Sequence, residues 1–189
     1  KIPLARRCQM ETKIREFLDD RKISYALIKP ATIIFRPEYR KKCIANHCGR
    51  YNRSWSCPPA IGDPELIIAA IWKYSRGIMI QAISPLEDPY DLESMDQGRK
   101  QIQDLTQALN ENLRQTGQAF ALFDAGSCTI CPVCTYPTEP CRFPERMLIA
   151  MESLGIDVAD LAKNAGMRYY NGPSTITYFA LVLFGADHV

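Results

Sequence analysis

Cys128, Cys131 and Cys134 follow one another with two residues between each, and six residues separate Cys134 from Cys141. Such spacing lets a tight loop wrap thiolates around one inorganic centre. Bacterial iron–sulfur ligand runs begin with the same C-x2-C-x2-C pattern. A second set lies upstream at Cys43, Cys48 and Cys57, the last followed by Pro58 and Pro59. Structural zinc is the competing reading, but it favours two C-x2-C pairs held well apart, and here three cysteines crowd one turn. The chemistry indicated is therefore iron–sulfur, with one or two [4Fe–4S] clusters.

The simplest ligation gives one cluster to Cys128, Cys131, Cys134 and Cys141. The other set supplies Cys43, Cys48 and Cys57, and its fourth position falls to Cys8, to His47 or to a ligand that is not protein. Swapped ligation is open too, because a Cys followed by Pro completes the partner cluster in two-cluster ferredoxins, and Cys57-Pro58 has that form. A cluster iron without a thiolate would be free to bind a small substrate, such as one bearing sulfur. Arg36, Arg40, Lys41, Lys42, Arg50 and Arg53 surround the first set. They balance the charge of an anionic cluster or dock an acidic partner. Arg50, Arg53 and Trp55 are the residues expected to support a cofactor without ligating it.

Composition narrows the setting. The chain has 189 residues, 47% hydrophobic and 23% charged, consistent with a single metal-binding domain over 1–189. A net charge of +2 and the lack of a basic run interleaved with aromatics argue against nucleic acid. No apolar stretch approaches the ~20 residues of a membrane span. Eight cysteines could form disulfides in a secreted protein. The chain is larger than stapled scaffolds, however, and no export signal is visible at Lys1-Ile-Pro-Leu-Ala-Arg-Arg, so a reducing cytoplasm is expected. There is no P-loop, GxGxxG, HExxH or GxSxG, so catalysis is left open.

The elements that must position these cysteines follow from periodicity. Met10–Lys22 reads as an amphipathic helix, Tyr25–Phe35 as strand broken by Pro30, and 36–61 as a basic, turn-rich loop. Asp63-Pro64-Glu65 is a helix start, opening a helix read as buried to Tyr74. Gly77–Ile83 is a strand and Pro85–Gln115 holds a long helix. Ala119–Phe123 is a strand feeding the second cysteine loop, 124–143. Helices are expected from Pro144 to Gly155 and over Asp157–Ala165, then a strand over Thr175–Phe184, apolar enough to be buried on both faces. This alternation predicts an α/β fold: a small, mostly parallel sheet flanked by helices, with two cysteine-rich loops at the carboxyl edge of the strands.

Cys43-x4-Cys48-Gly-Arg-Tyr-x3-Trp-Ser-Cys57-Pro-Pro, the run Cys128 to Cys134, Cys141-Arg-Phe-Pro and Met151-Glu-Ser-Leu-Gly-Ile-Asp-Val occur together here. In that combination the chain resembles an uncharacterised bacterial and archaeal family of cysteine-rich predicted metal-binding proteins, over roughly Cys43 to Phe184. The resemblance implies metal binding through these cysteines and a distribution rich in anaerobes, without a reaction. Three functions stand: electron transfer or redox activation of a partner enzyme, an enzyme using an open iron on a small-molecule substrate, and a zinc-stabilised interaction module. Oligomeric state is not legible.

Overall fold

Thr175–Phe184 (β5) is apolar nearly throughout, and it lies inside the sheet with a strand on either side. The computed structural model describes residues 4–185, with side chains from residue 9 onward. The remaining elements are α1 (Leu4–Asp19), β1 (Ser24–Ile28), α2 (Pro37–Ile44), α3 (Pro64–Ile71), β2 (Arg76–Pro85), α4 (Leu92–Arg114), β3 (Phe120–Asp124), β4 (Ile149–Ala150) and α5 (Val158–Asn164). No helix among the described residues is long and apolar enough to cross a membrane.

The five strands lie in the order β1-β2-β5-β3-β4. Only β3 and β4 pair in parallel, through Phe123 with Ile149 and Asp124 with Ala150. The other three pairings are antiparallel, so the expected mostly parallel sheet is corrected. The reason is topological. The β2–α4–β3 crossover does leave its two strands pointing the same way, but β5 returns in the opposite sense and inserts between them.

Alternation along the strands splits the core into two layers. Ile78, Ile80, Ala180, Val182 and Phe184 face α1 and α4, meeting Met10, Ile14, Leu18, Ile102, Leu109 and Leu113. Met79, Phe179, Leu181 and Leu183 face the other way, onto Met151, Leu154, Ile156 and Leu161. Each fully buried Leu or Ile here contributes about 1.5–3 kcal/mol over exposure. Helix α4 starts at Leu92, where its apolar pattern begins, and Asp91 caps it by accepting from the Ser94 amide at 3.0 Å. Gly98 lets it sit close to β2, where a Cβ would stand 2.5 Å from Ser84 Oγ.

Three local expectations change. Residues 36–44 are not all loop, since α2 forms there with Pro37 in its first turn. Helix α3 has the expected Asp63 cap, with Oδ1 accepting from the Glu65 amide at 2.9 Å, but only one face is buried, through Pro64 and Ile71: Leu66 is 72% exposed and Trp72, at its C-cap, 47%. The helix expected from Pro144 is replaced by turns, β4 and a 3-10 turn at Met151–Leu154. There the edge of β3 captures Ile149 and Ala150 before a helix can start.

This last segment fixes α2. The Arg36 amide donates to Gly155 O at 2.7 Å, and the Asp157 amide donates to Ile34 O at 2.9 Å. Asp157 Oδ2 accepts from Arg36 Nε at 2.6 Å, and Arg40 Nε donates to Ser153 O at 3.2 Å. Gly155 has φ 77°, and a Cβ on it would stand 2.6 Å from Arg36 O. Gly155→Ala therefore meets both an unfavourable backbone conformation and a backbone clash. It should lose about 1–3 kcal/mol in urea unfolding, whereas Gly117→Ala, with no atom within 4 Å of its Cβ, should lose only the conformational part.

Candidate metal centre

Strand β3 ends at Asp124, and residues 125–148 contain neither helix nor strand. A loop this long needs outside partners for its backbone groups. Gln103, buried on α4, supplies them at the point of departure. Its Nε2 donates to Ala125 O at 2.8 Å and to Ser127 O at 2.9 Å. Its Oε1 accepts from Thr129 Oγ1 at 2.7 Å and from the Arg99 guanidinium at 3.1 Å. Both donors and both acceptors of one amide are thus used. Farther on, Thr135 Oγ1 donates to Pro140 O at 2.9 Å, tying the residue after Cys134 to the residue before Cys141.

Cys128, Cys131, Cys134 and Cys141 line one narrow pocket of about 20 Å³. Burial pushes the Cys128 thiol up, and the other three thiols add to that by like-charge repulsion. Cys134 is different. Burial raises it, but amide donors from Tyr136, Trp55 and Thr135 and the Ser54 hydroxyl outweigh burial and hold the thiol below its ordinary value.

The upstream cysteines reach the site by a route that the strand order does not suggest. The carboxyl end of β1 pairs with the beginning of β2, at the far edge from the end of β3. The chain then crosses along Phe35, which bridges to Ile156, and through α2, which packs on Met151–Leu154. Cys43 lies in the last turn of α2. With Cys48 and Cys57 it lines a cavity of about 560 Å³. The opposite wall of that cavity is built from Ala125 and Gly126 beyond β3 and Ala150 at the end of β4. Burial raises the Cys43 and Cys57 thiols, and each is raised further by its cysteine neighbours. Arg40 counteracts this at Cys43, and the Ser56 hydroxyl and Arg50 do so at Cys57.

The two cysteine segments dock on each other. The Cys128 amide donates to Ser56 Oγ at 2.9 Å, Trp55 Nε1 donates to Glu139 O at 3.1 Å, and Tyr136 Oη donates to Asn52 Oδ1 at 3.0 Å. Trp55 and Tyr136 meet edge to face at 4.9 Å, a geometry that contributes about 0.5–1.5 kcal/mol beyond area.

The sequence-predicted residues sort as follows. Arg50 lines the upstream cavity. Trp55, expected to support a cofactor without ligating it, lines the downstream pocket. Arg53 is exposed, as is His47, and neither lines either cavity. The Cys8 side chain lies outside the described residues.

Sequence reasoning missed two carboxyls. Asp124, at the end of β3, is buried and accepts from Thr106 Oγ1 and the Ala125 amide, both at 2.8 Å. Burial pushes it up to about 6, against the pull of Thr106, Ala125 and Arg99. Glu152 lines the upstream cavity. The residue is exposed on that wall, and desolvation nonetheless raises its carboxyl, with Asp124 adding to the effect. Position was a signal for Asp124, at the end of a strand that feeds the site, but not for Glu152, because β4 lies where the sequence reads as helix.

A family model described as "Predicted metal-binding protein (DUF2284)" matches residues 26–184. The chain belongs to that family. No curated protein and no solved structure matches it. The family's metal is unspecified, and among the described residues no group of three or more His, Cys, Asp or Glu is arranged to hold a metal ion. The donors themselves suit a thiolate-bound group: each set is all sulfur, and amides and hydroxyls point at Cys134 and Cys57 as such ligands require. The downstream pocket, at about 20 Å³, is tighter than a cluster.

Asp124 gives a test of the frame around the site. Its folded pKa is raised, so between roughly pH 4 and 6 the folded chain keeps a proton that the unfolded chain has lost. Stability then falls as pH rises through that window and stays low above it. A shift from 3.8 to about 6 corresponds to roughly 3 kcal/mol at most. Asp124→Asn should flatten urea-unfolding stability between pH 4 and 7. A profile unchanged from wild type would remove Asp124 as its source.

Proposed function

We propose that this chain is an iron–sulfur protein in which each thiol set holds a [4Fe–4S] cluster, and that it transfers electrons or activates a partner enzyme by redox chemistry in the cytoplasm. One observation carries this reading: the seven described ligand candidates fall into two all-sulfur groups, {Cys128, Cys131, Cys134, Cys141} and {Cys43, Cys48, Cys57}, each lining its own cavity. Each cluster supplies one-electron storage when bound. The protein's part is to hold the sulfurs, direct amides at Cys134, set Arg40 and Arg50 against the upstream charge, and keep water from the downstream set with Trp55 and Phe143.

Protein purified without oxygen should contain about eight irons and eight sulfides per chain. Cys131→Ser and Cys48→Ser should each lose about half and keep the rest. Stoichiometric zinc without iron would replace the proposal with a structural zinc module.

A second reading concerns the upstream set. It has three described thiols where a cluster has four irons, and it opens on a 560 Å³ cavity that Arg50, Arg99, Glu152 and Tyr178 also line. An iron without a thiolate there would bind a small molecule, making the chain an enzyme or a sensor. Added sulfide should then change the visible spectrum of the Cys131→Ser protein, and should still do so in the Cys8→Ser, Cys131→Ser double variant. Loss of the upstream cluster on Cys8→Ser alone would close that site with Cys8.

A further inference from the structure

Helix α3 carries more apolar surface than the fold uses. Pro64 and Ile71 are buried, with Ile67 and Ile68 half-buried beside them, and these seal the core. Glu65, Leu66, Ala69, Ala70, Trp72 and Lys73 are all exposed. Trp72 is the C-cap and still has helical backbone angles. At about 100° of turn per residue, the six exposed positions therefore fall on one continuous arc. Four of them are apolar. The other two carry opposite charges at opposite ends, and neither side chain has a hydrogen-bond or ion-pair partner among the described residues.

The arc is symmetric about Ala69. Glu65 and Lys73 stand four residues before and after it, Leu66 and Trp72 three before and after. When two copies of one helix pack antiparallel across a two-fold axis, a residue before the axis meets the residue equally far beyond it on the partner. An axis at Ala69 sets Glu65 against the partner's Lys73 and Leu66 against the partner's Trp72, each twice. Ala69 meets its own copy, and a methyl group at the crossing suits the close helix approach of about 8–10 Å. A parallel pairing would instead set like charge against like. Trp72 is also held ready, since its ring meets Phe35 edge to face at 5.4 Å and 78°. Large aromatic side chains of this kind anchor protein interfaces.

We propose that α3 is a self-association face, on which a second copy of this chain packs its own α3 antiparallel with the two-fold axis at Ala69. The occupant is a second copy because the face complements itself in both charge and bulk. A lipid surface is matched by a rim of basic residues, whereas this arc carries one charge of each sign. The face of so short a helix falls below the roughly 1,200–2,000 Å² buried in a stable complex, so the dimer is a reversible one. No residue of α3 lines either cysteine cavity, and the inference is independent of what the thiols hold.

The test is sedimentation velocity on the full chain, over a dilution series reaching on the order of 100 μM. A reductant is present, because Cys48 is exposed and free and could otherwise link copies covalently. Wild type should pass from monomer to dimer as concentration rises. Glu65→Lys and Lys73→Glu each put like charges opposite one another on both sides of the axis, and each alone should weaken association about tenfold or more. Mixed one to one, the two variants regain opposite charges at both positions, and the mixture should dimerise about as wild type does. Ala69→Arg places bulk and charge on the axis and should leave a monomer with unchanged helical circular dichroism. Wild type that stays monomeric throughout the series would overturn the proposal, whatever else covers the face. A dimer that persists in Ala69→Arg and in both charge variants would assign association to another surface and overturn it equally. A mixture no tighter than either charge variant alone would overturn the antiparallel pairing.

Discussion

The bond from the Cys128 amide to Ser56 Oγ joins two stretches of chain that have no regular structure at the point of contact. Cysteine sets of this kind cannot be carried on strands or long helices, because their close spacing demands tight turns. Turns leave backbone groups to be satisfied by something else. Here each loop satisfies the other, and Gln103 anchors the downstream loop to α4. The sheet's contribution is placement: β3 and β4 end side by side, and β5 keeps the end of β2 from covering them.

What the sequence revealed depended on whether the signal was local. Asp63, Asp91 and Asp157 each cap a helix through the side chain, and the cap-plus-apolar pattern was enough to find α3, α4 and α5. Helix α2 was missed because Glu38, Arg40, Lys41 and Lys42 leave no apolar stripe and none of its residues is buried. Its start signal, Pro37 followed by Glu38, was present. Strand direction was misjudged because alternation of helix and strand carries no information about where the last strand inserts. The same blindness applies to the site. Cysteine spacing nominated the ligand candidates, but Ser54, Ser56, Gln103 and Asp124 act through contacts distant in sequence or through burial, and Glu152 through its place on a cavity wall, none of which has a period to detect.

The basic residues of the upstream segment do not all serve the site. Arg40 and Arg50 lie near the upstream thiols, and Arg50 shares its cavity with Arg99, Asp96 and Glu152. Arg36 is turned to Asp157 as an ion pair, where it holds α2 in place. Part of the apparent binding surface is structural.

Burial raises Cys43, Cys57 and Cys128, so in the unloaded chain these thiols keep their protons at neutral pH. Thiolates are the ligating form, and a buried thiol releases its proton only as a cation arrives to replace it. Cys134 alone among the shifted thiols is lowered, and its amide donors come from both loops. On the proposed function, the Trp55 amide of the upstream segment joins the Tyr136 and Thr135 amides in holding Cys134 ready as a thiolate, so docking of the two segments favours loading of the downstream set.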